Sequence, residues 1–313
     1  MASISLSSYT LRVKDENGNY RLLNNFTGRR GGKDDIYNIL NNFLTSYKVE
    51  CCDNPDKRKF LKVPTLQSSS RIFNGIIETG EYGYESNITT SDGNVSYTKK
   101  KDEADMLPFY FLINVEKGFN EGLLLMQRFK QLGIRQAFFD NFSDYFNSLY
   151  PRFRIEINPL VPEYLINKYL KDGRIIKIRF IKFGMPTDIA DRYRNNDHDE
   201  IKGTTQLVVT AGRNGDIPIY GDVIKFLKGE KRLNRLVELA DFEYENVKVD
   251  VSINNKPKVI DLGNDFKIRP YIDITDEVEI NGENGHPKFD SIDKIANELM
   301  NDLNKMMRNR ANE

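Results

Sequence analysis

The strongest constraint in this sequence is a nine-residue apolar run, LPFYFLINV at 107–115, followed after Gly118 by a second run at 121–129. A membrane-crossing helix needs about 20 such residues, so the first run has the length of a strand. The two together read as an apolar hairpin turning at Gly118. An aromatic-faced helix is expected next, over 134–149.

The rest of the chain alternates in the same way. Residues 4–13 read as a strand closed by a turn at 17–19. Ile36, Ile39, Leu40, Phe43 and Leu44 recur at helical spacing, which predicts a helix over 33–47 with Asp34 and Asp35 in its first turn. Three or four short strands are expected between 48 and 101, and 87–105 reads as the most loop-like stretch. Beyond 152 come strands at FRIEI, 174–183, 204–210, 242–253, 256–261 and near Tyr271. Helices are expected at 162–171, 187–193 and 217–229, and a charged, flexible loop at 192–202. A turn region at 281–287 leads to a terminal helix over 291–308, with Ile292, Ile295, Leu299, Leu303 and Met306 on one face. The expected fold is α+β, with mixed or antiparallel sheets and packed helices. The expected division is an N-terminal α+β region at 1–104, with a basic loop, and a second α+β region at 105–313.

Composition narrows the chemistry. An apolar share of 39%, with 16 tyrosines and 19 phenylalanines, is enough for a substantial core. Cys51 and Cys52 are adjacent, a spacing that strains a disulfide, so two reduced thiols and a cytoplasmic location are expected. His198 and His286, the only histidines, fall in polar loops without neighbours at metal-ligand spacing. The glycine-rich segment at 28–33 lacks Walker spacing and has no Ser or Thr after Lys33. No catalytic residue, metal or cofactor is assigned. The competing enzymatic reading is a metal-dependent nuclease built on Asp250, Asp265 and Lys267. A third reading is a protein-interaction module using the terminal helix or the acidic tail.

The chain has 46 basic and 46 acidic residues, yet they are unevenly spread. Residues 151–240 hold 17 basic against 12 acidic, whereas 241–313 hold 10 against 16. Within the basic segment, strand alternation sets Ile176, Ile178 and Phe180 on one face and Lys177 and Arg179 on the other. Cations on such a strand repeat at roughly 7 Å, close to the phosphate spacing along one DNA strand. The expected phosphate-binding set is Arg174, Lys177, Arg179 and Lys182, with Lys225, Lys228, Lys231, Arg232 and Arg235 on a helix. Lys99, Lys100 and Lys101 are expected to add a mobile arm. Such contacts hold phosphates without reading bases.

Several segments also resemble, in order and spacing, the RexA-like phage exclusion proteins. These are LPFYFLINVEKG at 107–118, FRIEINPLVPEYL at 153–165, KIRFIKFG at 177–184, IPIYGDVIKFLKG at 217–229 and YENVKVDVSINNKPKVIDL at 244–262. The resemblance covers roughly 105–305. It implies a fold like that of the recombination-associated RdgC proteins and a homodimer that grips duplex DNA without sequence preference. It also implies a role in abortive infection beside a membrane effector.

Overall fold

The computed structural model describes residues 3–29, 34–48, 52–54, 57–160, 169–183, 204–213, 215–227, 230, 244–253, 256–262 and 271–311. In chain order its elements begin with β1 (Ile4–Asp15), β2 (Tyr20–Arg21), α1 (Ile36–Ser46), β3 (Cys52–Asn54), β4 (Lys59–Ser69) and β5 (Ile72–Glu81). There follow β6 (Ser86–Thr89), β7 (Val95–Lys99), β8 (Leu107–Asn114), β9 (Glu121–Phe129), β10 (Leu132–Gly133), α2 (Arg135–Leu149) and β11 (Phe153–Pro159). The remainder is β12 (Arg174–Phe183), β13 (Thr204–Thr210), α3 (Tyr220–Leu227), β14 (Asn246–Ile253), β15 (Lys256–Asp261), β16 (Tyr271–Asp273) and α4 (Phe289–Ala311). The fold is α+β with antiparallel sheets, packed helices and a long C-terminal helix. The expected helix at 187–193 and loop at 192–202 lie outside the described residues, as does most of 162–171.

Two compact units divide the chain: residues 1–160 with 275–313, and residues 161–274. The division expected at 104/105 does not coincide with this one. It falls inside the first unit, where β8 pairs with β5 from Leu107 to Asn114.

In the first unit the antiparallel order is β11–β1–β9–β8–β5–β4–β3, with β2 also on β1. The apolar run explains why β8 is central: Tyr110, Phe111, Leu112 and Ile113 are all fully buried, so both faces of the strand are covered. On one face, Phe73, Phe109, Phe111 and Met126 join Leu40 and Phe43 of α1 and Phe138, Phe142 and Phe146 of α2 in one core. Phe43 lies edge-on to Phe138, ring centroids 5.8 Å apart, and 5.2 Å from Phe142. The opposite face packs against α4, which buries Ile292, Ala296, Leu299, Met300, Leu303 and Met306. One polar anchor crosses this layer: Tyr110 Oη donates to Asp293 Oδ1 at 2.7 Å, and Asn74 Nδ2 donates to the same oxygen at 2.6 Å.

Asp35 caps α1, accepting from Tyr37 N at 2.9 Å. The same carboxylate receives Arg71 through two bonds of 2.8 Å. Arg71 needs that hold, because Ser70 and Arg71 form the two-residue turn between β4 and β5 with φ of 49° and 67°. Both angles lie in the left-handed region that side chains ordinarily avoid.

The stretch 87–105, read as the most loop-like, also holds an expected strand at 94–101; that strand is β7, and it pairs with β6 in a hairpin. Its apolar residues Ile88, Val95 and Tyr97 stay about half exposed, so it lacks the one-sided burial that sequence alternation reports. Its tip is held by polar bonds, with Asn94 Nδ2 donating to Asp92 Oδ2 at 2.7 Å. Among the described residues, no helix is long and apolar enough to cross a membrane.

The second unit is an antiparallel sheet ordered β13–β12–β14–β15–β16. Ile175, Ile178 and Phe180 meet Val251, Val249 and Val247 across β12 and β14, and all six are buried. Val223 and Phe226 of α3 are buried in the same unit.

Candidate nucleic-acid interface

The candidate surface is the face of β12 and β14 opposite those valines. Its layout depends on one irregularity. Ile175 pairs with Val251 and Lys177 with Asp250, so Ile176 is an extra residue, a β-bulge, on β12. The bulge has a local cause. Ile175 N donates to Asp216 Oδ1 at 2.6 Å, and Ile175 O accepts from Ile217 N at 2.9 Å. The loop before α3 thus holds the backbone where the ladder slips.

This corrects the simple alternation. Ile175, not Ile176, shares the apolar face with Ile178 and Phe180; Ile176 is only half-buried. The slip also moves Arg174. Without it Arg174 would share parity with Ile178; with it, Arg174 pairs with Ser252 and joins Lys177 and Arg179 on the polar face. Lys182 keeps the parity of Phe180, so this exposed lysine belongs to the other face. Of the four strand cations, the structure therefore groups Arg174, Lys177 and Arg179 and separates Lys182.

The group includes anions that the charge reading left out. Arg179 Nη2 lies 2.5 Å from Asp250 Oδ1, and Lys177 Nζ lies 3.9 Å from Asp250 Oδ2. Lys248, directly opposite Arg179, lies 3.8 Å from Asp273 on β16. The Asp250 side chain is only 9% exposed, whereas Lys177 is 40% exposed and Arg179 27%. Burying a carboxylate is costly unless cations and donors meet it, so Arg179 is largely committed to Asp250. The longer, more exposed Lys177 contact is of the class worth about 0–1 kcal/mol, weak enough for a phosphate to displace.

The helical cations fall differently. Lys225 is exposed in the last turn of α3, where a positive charge also favours the helix end. Lys228, Lys231, Arg232 and Arg235 lie outside the described residues. The lysine triplet divides: Lys99 is buried, whereas Lys100 and Lys101 are exposed. Lys99 is 4% exposed at the end of β7, its Nζ 3.9 Å from the Tyr84 ring centroid and 3.3 Å from Glu81 O. Lys100 N donates to Glu103 Oε2 at 2.9 Å, and Lys101 O accepts from Gly83 N at 2.7 Å. All three lysines belong to the first unit.

Of the residues of the nuclease alternative, only Asp250 is among the described residues. Asp250 is paired with cations, while Asp265 and Lys267 lie outside the described residues. Among the described residues, no cluster of three or more His, Cys, Asp or Glu could hold a metal ion. His286 is half-buried rather than solvated, with its ring 5.4 Å from that of Phe129. His198, Cys51 and residues 30–33 of the glycine-rich segment lie outside the described residues.

Sequence reasoning missed the role of Asp250 as counter-charge and of Asp216 as the clamp on the bulge. Both depend on pairings between residues distant in sequence, and no local pattern reports them. No protein-family model matches the chain, and no curated protein shows a significant match to it.

Proposed function

We propose that this protein binds duplex DNA without reading its sequence, through the polar face of β12, and acts in defence against or exclusion of phage. The observation that carries the reading is the grouping of Arg174, Lys177 and Arg179 on one sheet face, opposite the face where Ile175, Ile178 and Phe180 are buried. A rigid strand holding cations along one face can follow a phosphate backbone, and nothing in such a row distinguishes bases. Asp250 and Asp273 moderate the charge, which limits binding to surfaces with dense negative charge. The RexA- and RdgC-like fold, the homodimer, the cytoplasmic location and a membrane effector partner belong to the same proposal and rest on the sequence resemblance. The nuclease alternative would require Asp250 to leave both cations before it could take a metal ion.

Fluorescence anisotropy with labelled duplexes of unrelated sequence tests the proposal. The expected result is binding of equal affinity to each, weakened equally by Arg174→Glu and by Lys177→Glu. Affinity that depends on sequence, or that survives both charge reversals, would contradict it.

A further inference from the structure

We infer that β13 is the seam of a symmetric dimer, pairing antiparallel with β13 of a second copy of this chain. The inference deepens the homodimer in the proposed function and is independent of DNA binding. β13 ends its sheet: it pairs with β12, and among the described residues no strand lies on its other edge. Sheet edges are normally guarded by charges, proline or bulges. Thr204–Thr210 reads TTQLVVT, with none of these. Leu207, Val208 and Val209 are 38%, 47% and 38% exposed, three consecutive apolar side chains on an open edge.

The hydrogen-bond phase fixes the register that a second copy can take. Ala211 N donates to Ile176 O at 2.9 Å, continuing the ladder that pairs Thr210 with Lys177. Bonding toward β12 therefore falls on the odd-numbered residues, and the backbone groups of residues 204, 206, 208 and 210 point outward. A two-fold axis through Leu207 sets 206 opposite 208 and 204 opposite 210, so every outward group meets an outward group. This register uses the whole strand and places no charge opposite another. Leu207 then meets its own copy on the face shared with Phe180, extending the apolar layer across the axis. Val208 lies on the face of Arg179, so the cation rows of the two copies fall on one continuous surface. Three strand spacings separate those rows, about 14 Å.

The test uses the full chain without nucleic acid, so its failure leaves the DNA-binding proposal standing. In a Cys51→Ser, Cys52→Ser background, Leu207→Cys should form an intermolecular disulfide under mild oxidation. Directly opposed residues of this pair type have Cα atoms about 4.5 Å apart, within disulfide range. Val208→Cys should not, because its own copy sits diagonally at about 7–8 Å. Sedimentation equilibrium should give twice the chain mass for the unsubstituted protein and the chain mass for Leu207→Lys. An unsubstituted monomer would overturn the seam. So would a dimer that resists Leu207→Lys and in which Leu207→Cys fails to cross-link.

Discussion

Asp250 on β14 sits directly opposite Lys177 on β12 but bonds diagonally to Arg179 at 2.5 Å, so one nearly buried carboxylate restrains two cations. The pair Arg179–Asp250 sets how much positive charge this face can offer. Arg179 is held in place, and Lys177 is the side chain left to reach outward.

Replacing Asp250 should therefore tighten DNA binding. A unit negative charge about 4 Å from a phosphate costs roughly 1 kcal/mol in water, a factor of about five in affinity. Asp250→Asn should gain about that factor in anisotropy titrations. It should also lose about 1 kcal/mol of stability in urea unfolding, because Arg179 keeps a hydrogen-bond acceptor but loses a charge.

Asp216 is a positioning residue for Arg174. Asp216→Ala removes the acceptor for Ile175 N and should destabilise the second unit by about 1–3 kcal/mol. If the bulge relaxes, Arg174 leaves the polar face, and the salt slope of binding should fall by about 0.9, as in Arg174→Ala. A slope unchanged in Asp216→Ala but reduced in Arg174→Ala would separate the bulge from the site.

Tyr110 gives a pH-dependent prediction in the first unit. Burial, then the hydrogen bond to Asp293 and its charge, push the Tyr110 hydroxyl well above the ordinary tyrosine range. The folded chain keeps this proton after the unfolded chain has lost it. The group's contribution to stability is complete below about pH 10 and declines above it, by up to about 1.4 kcal/mol per pH unit. Tyr110→Phe should cost about 1.5–3 kcal/mol at neutral pH, for the lost bond to a carboxylate. Its unfolding free energy should then decline less steeply above pH 10 than that of the unsubstituted protein.

What was legible in the sequence was whatever repeats locally. The spacing of Ile36, Ile39, Leu40, Phe43 and Leu44 marked the buried face of α1, and all five are buried. The runs at 107–115 and 121–129 marked an apolar hairpin, and β8 and β9 do pair; that they lie inside the first sheet follows from pairings with β1 and β5 that the runs themselves do not report. The interface depends on the pairing of β12 with β14, between residues about seventy positions apart, and on a bulge held by Asp216. Alternation alone puts Arg174 with Ile178 and cannot show that Asp250 lies beside Arg179. Lys99 misled for a related reason. Three lysines in a row look solvated, yet the first is buried against Tyr84 by a hairpin whose strands show no one-sided pattern.

The most direct test of the central claim is the salt dependence of binding to unrelated duplexes between 50 and 200 mM monovalent salt. Two phosphate contacts per chain, from Arg174 and Lys177 with Arg179 held by Asp250, give a log–log slope of about −1.8, a loss of roughly 12-fold in affinity over that range. Lys177→Glu should make the slope shallower by about 0.9. Affinity that is flat across the range, or a slope that Lys177→Glu leaves unchanged, would contradict the account.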